Sequence, residues 1–194
     1  PNPGFRGGAG THGLCRCGGD DTRRGALRGT FADDRTRAAF QMYLDDYLPP
    51  VPNDPERFAT RLGERPERDR GGSPYLLISA LDRSVEQIAA VVHRLGGLFI
   101  AAHVERPSFS LISQLGFIDP SLPLDAIEFK DAARYERLLA AHAYLKHYTI
   151  YSASDAHDPG QIGTKYSLLR ADVLDFEHLA MAFRKENGHT IVTA

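Results

Sequence analysis

Three side chains at the ends of two short apolar runs have the types that bind a metal ion: His103, Asp155 and His157. The run "LFIAAH", residues 98–103, ends in an imidazole. The stretch "YTIYSASDAHDPGQIG", residues 148–163, starts apolar, then places an acid and an imidazole two residues apart before breaking at Asp-Pro-Gly. A neutral imidazole and a carboxylate are good ligands for zinc, manganese or iron. In an extended segment residues 155 and 157 point to the same side. Both can then bind one ion, or one binds while the other orients it. Each also has a plainer reading. A histidine at a strand end is commonly a hydrogen-bonded structural residue, and Ser-Asp-Ala-His suits an Asx turn. Their coincidence favours the chemical reading, because parallel strands ending near 103 and 153 bring all three to one rim. Arg106, three residues past His103, has the fork that grips a phosphate bidentately; bracing a surface loop is its other reading.

The elements that position these residues are legible from about residue 33 onward. "DDRTRAAFQMYLDDYLPP" reads as a helix with Asp33 and Asp34 as candidate caps and a stop at Pro49 and Pro50. "SVEQIAAVVHRLGG" opens with a capping box, Ser84 with Gln87, carries a stripe of Val85, Ile88, Ala89, Val92 and Leu95, and ends at Gly96-Gly97. "LFIAAH" is a buried strand. "SFSLISQLG" reads as a short helix capped by Ser108, "LDAIEF" as a strand ending near Phe129, and "DAARYERLLAAHAYLKHY" as one helix with Tyr135, Leu138, Leu139 and Leu145 inward. "TIYSA" is a strand, "KYSLLRA" a further strand candidate, "DFEHLAMAFRKENG" a helix from Asp175, and "HTIVTA" a closing strand. Alternating strands and helices imply a parallel sheet with helical crossovers, open or closed into a barrel. In both forms ligands gather at the carboxyl ends of the strands.

The chain has 194 residues, 42 % hydrophobic and 25 % charged, with a formal net charge of −2. That is enough for one domain with a core, and the charge gives no global attraction to nucleic acid or membrane. No apolar run approaches the ~20 residues of a membrane span, and no signal peptide is visible. Cys15 and Cys17 are too close together for an ordinary structural disulfide, so the cytoplasm is the expected compartment. Residues 1–30 hold half of the glycines and almost no large apolar side chains. They read as an irregular Gly/Arg-rich arm that cannot offset its own ordering entropy, with residues 31–194 as the folded portion. Residues 51–73 read as a long loop. The start at Pro1 rather than Met suggests a processed product, a fragment or an incomplete gene.

"GGLFIAAHVERPSFSLISQLGFIDPSLPLDAIEF" followed by "YTIYSASDAHDPGQIG" resembles the PHP (polymerase and histidinol phosphatase) family. The resemblance covers about residues 33–194 and is specific over 75–163. It implies an α/β fold, a distorted seven-stranded TIM-like β/α barrel, present here only in part. It also implies a cluster of up to three divalent metals and hydrolysis of phosphoesters by a metal-activated water. The family's third motif supplies a histidine, matched by His103; its fourth supplies Asp-x-His, matched by Asp155 and His157. The first motif, His-x-His, and the second, a further His and a Glu, are absent. Missing or replaced N-terminal strands would leave an exposed barrel edge open to self-association. The Gly/Arg-rich start is then explained by out-of-frame translation joined to a genuine carboxyl-terminal portion.

The resulting expectation is a PHP-type metal-dependent phosphoesterase, incomplete or impaired as this chain. It would use divalent zinc, manganese or iron and act on a phosphorylated small molecule, with nucleic acid compatible but not indicated and no membrane. The alternatives are a non-catalytic PHP-like remnant that binds or braces, and a related metal hydrolase of C–N bonds. Glu128 reads as a cap to the next helix or as a support to the rim. His93, His142, His147 and His178 read as ordinary helix-flank histidines.

Overall fold

The computed structural model of the chain describes residues 11–16, 24–54, 75–76 and 79–193. Five strands form one open sheet in the order β1 (Thr11–Arg16), β2 (Arg24–Thr30), β3 (Leu98–Ala101), β4 (Ala126–Phe129), β5 (Thr149–Ser152). The last three are parallel, with Ile100 opposite Ala126 and Glu128 opposite Tyr151. β1 with β2, and β2 with β3, run antiparallel. A further pair, β6 (Ser167–Arg170) and β7 (Thr190–Thr193), is antiparallel and separate. The fold is thus α/β, as expected, but among the described residues no closed barrel forms.

The helices follow their caps. α1 (Asp34–Tyr47) starts where the Asp33 side chain accepts the Thr36 N–H, and α2 (Val85–Arg94) has the Ser84/Gln87 capping box in place. α3 (Leu111–Leu115) is capped by Ser110, not Ser108. Ser110 is fully buried and also donates to the Arg106 carbonyl, which fixes the loop after β3 to the start of the helix. α4 (Ala132–Ala141) is capped by Asp131 and α5 (Phe176–Arg184) by Asp175.

The long helix expected over 131–148 ends instead at Ala141. His142 leaves the helical region, and a 3₁₀ turn follows over Ala143–His147. No Gly or Pro forces the break. It lets Leu145 drop to full burial and lets Tyr144 accept the Ile118 N–H at 2.8 Å, just before the chain must enter β5.

Strand alternation divides the core. Leu27, Phe99, Ala101, Ile127 and Phe129 face α1, α2, α3 and α4. Leu98, Ile100 and Ala126 face the other way, against Ala180 and Phe183 of α5, with Tyr151 and Ile191 packed alongside. The sheet is therefore covered on both faces, as parallel strands require. β6 alternates half-buried and exposed residues; such a one-sided strand suits an antiparallel pair, not a further buried parallel strand.

The described part of the expected arm is regular. β2 lies inside the sheet, and Ala26 receives and donates backbone hydrogen bonds to Ala102 and Phe109. Its small residues permit close packing: a Cβ on Gly29 would lie 3.0 Å from the Phe31 ring. The ladder to β3 supplies what the local sequence lacks. Cys17 and residues 55–74 lie outside the described residues, so the expected loop over 51–73 shows only its start.

Gly97 ends α2 beneath Phe31, and an added Cβ would sit 2.5 Å from that ring and 3.0 Å from the Thr30 carbonyl oxygen. Phe31 is 1 % exposed and packs on Phe40, so it has little room to move. Gly97→Ala is expected to cost about 2 kcal/mol by overpacking, measurable as a lower urea midpoint with unchanged m-value.

Candidate functional site at the carboxyl ends of β3 and β5

The strands β3 and β5 flank β4, and both deliver their following residues to the same end of the sheet. Just past β3, His103 has φ +33°; past β5, Asp155 has φ +47°. Both are non-glycine residues in the left-handed region, which costs free energy and is held only where the surroundings over-determine it. Two of the three residues chosen for their chemistry are thus among the five non-glycine residues with positive φ in the described part of the chain. A third strained residue, Phe109, lies on the same loop as His103.

His103 is half-buried, and its Nδ1 is sealed from solvent without a hydrogen-bond partner among the described residues. Burial, and then the Arg106 guanidinium, push its pKa below the ordinary imidazole value, while Asp155 and Glu128 pull the other way. The neutral ring is the form that ligates metal. The Asp155 side chain is 15 % exposed and accepts Arg106 Nη1 at 3.2 Å. His157 is exposed. Its Nδ1 lies 2.8 Å from the Asp155 carbonyl oxygen, and its backbone N–H donates to Gln161 Oε1 at 3.0 Å. That first contact leaves Nε2 as the free nitrogen.

The left-handed turn at Asp155 departs from the extended backbone expected over residues 155–157, and the His157 imidazole meets the Asp155 backbone carbonyl; both residues line one cleft. Among the described residues no group of three or more His, Cys, Asp or Glu side chains gathers to hold a metal. The three predicted ligands share a rim, and among the described residues they do not gather as a three-donor group. For the zinc, manganese or iron cluster implied by the resemblance, this donor set does not fit: one carboxylate is taken by an arginine and one imidazole points to solvent.

Arg106 is placed between the two readings given for it, since it braces Asp155 and also lines an open cleft. That cleft has a volume of about 810 Å³, with Lys130, Arg134, Asp155, His157 and Lys165 among its walls. Arg134 pairs with Asp131 at 3.3 Å. Glu105, from the loop after β3, accepts the Lys130 and Asp131 backbone N–H groups through Oε1 and so ties the two loops together. The wall mixes four cations, Arg106, Lys130, Arg134 and Lys165, with the carboxylates of Glu105, Asp131 and Asp155, so an anion at this end of the sheet would meet cations with acids beside them.

Sequence reasoning missed Arg28 and Tyr151 and misplaced Glu128. The Glu128 side chain caps no helix; it is fully buried and accepts Arg28 Nη1 at 2.5 Å and the Tyr151 hydroxyl at 2.6 Å. A glutamate inside the apolar run "AIEF" was the signal, because a buried carboxylate demands a cation. Two of the four ordinary histidines contact a carboxylate. His93 Nε2 lies 2.8 Å from Asp125 at the opposite end of the sheet, and His178 Nδ1 lies 2.7 Å from Asp175.

No protein-family model matches the chain. The uncharacterized protein YqxK of Bacillus subtilis (strain 168) is 33 % identical over 108 residues, which is 52 % of this chain and 27 % of that protein. Among solved structures, the lesion-specific endonuclease PfuEndoQ from Pyrococcus furiosus matches 86 % of this chain with a TM-score of 0.60 and 17 % identity, over 37 % of its own length. An endonuclease Q complex with a 27-mer duplex carrying an abasic lesion at the active site matches 92 % of this chain, with a TM-score of 0.61, 17 % identity and 40 % of its own length. The likeness to the two structures is one of fold. The chain spans between about a quarter and two fifths of the proteins it matches. Among the described residues no helix is long and apolar enough to cross a membrane.

Proposed function

We propose that this chain is the carboxyl-terminal portion of a PHP-type phosphoesterase domain, and that its rim recognises a phosphoester through Arg106 beside Asp155. The observation that carries the reading is that two strained residues, His103 and Asp155, stand at the carboxyl ends of the two strands flanking β4, with Arg106 bonded to Asp155. The fold likeness to endonuclease Q supports a substrate different from the small phosphorylated molecule first expected. A phosphodiester of nucleic acid suits an open cleft with several cations along its wall better than a compact monoester does. Hydrolysis of the family kind needs more metal donors than the described residues bring together, which supports the reading that the chain by itself is impaired as a hydrolase. A second reading, a non-catalytic phosphate-binding remnant, is favoured by the Arg106–Asp155 ion pair, which engages the carboxylate a metal would need.

The test uses the purified full chain with an abasic duplex and a generic aryl phosphodiester in manganese or zinc. Duplex binding that weakens steeply with salt is the expected result. Turnover abolished by Asp155→Ala supports the phosphoesterase reading. Binding without turnover supports the remnant. Neither binding nor turnover removes the rim as a phosphoester site.

A further inference from the structure

The loop between β3 and α3 is tied down along its length. The Val104 N–H donates to the Glu128 carbonyl at 2.9 Å, the Arg106 N–H to the His103 carbonyl at 3.0 Å, and the Ala26 N–H of β2 to the Phe109 carbonyl at 2.8 Å. The Ser110 hydroxyl donates back to the Arg106 carbonyl at 2.9 Å while capping α3. That bond closes residues 106–110 into a turn. Its crest is Arg106, Pro107, Ser108 and Phe109, all exposed. Within the turn the usual order of burial is reversed. The Ser110 hydroxyl and Leu111 are fully buried, while Phe109 between them and the crest is 40 % exposed. Phe109 also has φ +58°, an outlier for a bulky side chain. Leaving a phenyl ring partly in water and holding its backbone in the left-handed region both cost free energy.

The turn thus presents a guanidinium and a phenyl ring close together on one exposed crest, with Arg106 facing the cleft and Phe109 toward β2. A nucleotide offers the complement of both. Its phosphate suits the guanidinium, and its base has a flat face that stacks on an aromatic ring. Bases inside an intact duplex are already stacked on their neighbours. A base without a partner leaves the stack at small cost, and the base opposite an abasic position is such a base. We propose that Phe109 is a base-stacking residue that takes an unpaired nucleobase while Arg106 holds a phosphate of the same strand, so that the rim prefers single-stranded DNA or an abasic duplex to an intact one. The proposal rests on the phosphoester reading of the rim and adds the class of nucleic acid to it.

Fluorescence anisotropy of the full chain with three DNA probes of one sequence tests it: a single strand, an abasic duplex and an intact duplex. The wild type is expected to bind the first two more tightly than the third. Phe109→Ala is expected to weaken the first two by roughly 10-fold, the worth of one stacked base. Its salt slope should stay that of wild type, because no phosphate contact is lost. Phe109→Tyr keeps the aromatic face and should keep the preference. Phe109→Leu keeps only the apolar bulk and should lose it, whereas a ring that merely packs against its own loop would be replaced by leucine without effect on the preference. The tyrosine and leucine variants decide the matter if Phe109→Ala fails to fold. A Phe109→Leu chain with wild-type preference, or a wild type that binds all three probes equally, overturns the stacking role and leaves the phosphate grip of Arg106 standing. A wild type that binds none of the three overturns the reading of the rim and the stacking role together.

Discussion

Asp125→Ala is expected to destabilise the chain by about 3 kcal/mol, within the range for breaking a buried ion network. The Asp125 side chain is 7 % exposed at the amino end of β4. It accepts the Phe99 N–H at 2.7 Å, contacts His93 Nε2 at 2.8 Å and accepts Arg184 Nε at 3.1 Å. One carboxylate thereby joins α2, β3, β4 and α5, and its loss leaves the buried Phe99 N–H without this partner and removes the contacts to the part-exposed His93 and Arg184. Burial alone would raise its pKa and is the largest single influence. The hydrogen bonds from His93, Phe99 and Arg184 outweigh it and leave the value below the ordinary 3.8. The folded chain therefore binds this proton less readily than the unfolded one. The stabilisation is complete above pH 3.8 and is lost as the pH falls through the lower folded value. Urea unfolding at neutral pH gives the size of the effect, and the acid limb of the same measurement gives its sign. Asp125→Asn should remove this group's share of the acid limb; an unchanged limb would assign acid unfolding to other carboxylates.

On the proposed reading of the rim, Arg106→Ala is expected to weaken binding of an abasic duplex by roughly 10- to 100-fold, the worth of a charge-assisted bidentate contact to phosphate. The side chain is 43 % exposed, so the thermal midpoint should hardly move. Fluorescence anisotropy over a salt series separates the two roles of this arginine. Loss of a phosphate contact lowers the slope of log affinity against log salt by about one. Loss of a loop brace leaves the slope alone and is mimicked by Asp155→Asn, which removes the charge that Arg106 leans on. Arg106→Lys should restore charge but not the fork, and so recover only part of the affinity. Full affinity in Arg106→Ala would assign Arg106 to the loop alone.

The rim was legible because its signals are local. An apolar run ending in His103, and another ending in Ser-Asp-Ala-His, announce strands and their exits without reference to the rest of the chain. The stripe and capping box of α2 are equally local, and α1, α4 and α5 start at the aspartates that open their expected stretches. The start of α3 was missed by two residues because Ser110, not Ser108, finds a buried partner in the Arg106 carbonyl. The end of α4 was missed because nothing in its sequence breaks a helix; the need to bury Leu145 and reach β5 does. β2 was missed because glycines and arginines are poor strand formers in isolation, and only the ladder to β3 supplies the stabilisation.

The same division runs through the chemistry. Sequence by itself determined which residues stand at the carboxyl ends of β3 and β5, since the order of strands and helices carries that information. Tertiary structure alone decided what those residues do to one another. The left-handed turn at Asp155 sends the His157 imidazole to a backbone carbonyl, Arg106 claims the carboxylate, and Arg28 reaches across the sheet to Glu128, 100 positions away in the chain. Electrostatic partners in a dry interior are selected by distance and desolvation, and neither quantity is written in the spacing of residues along a chain.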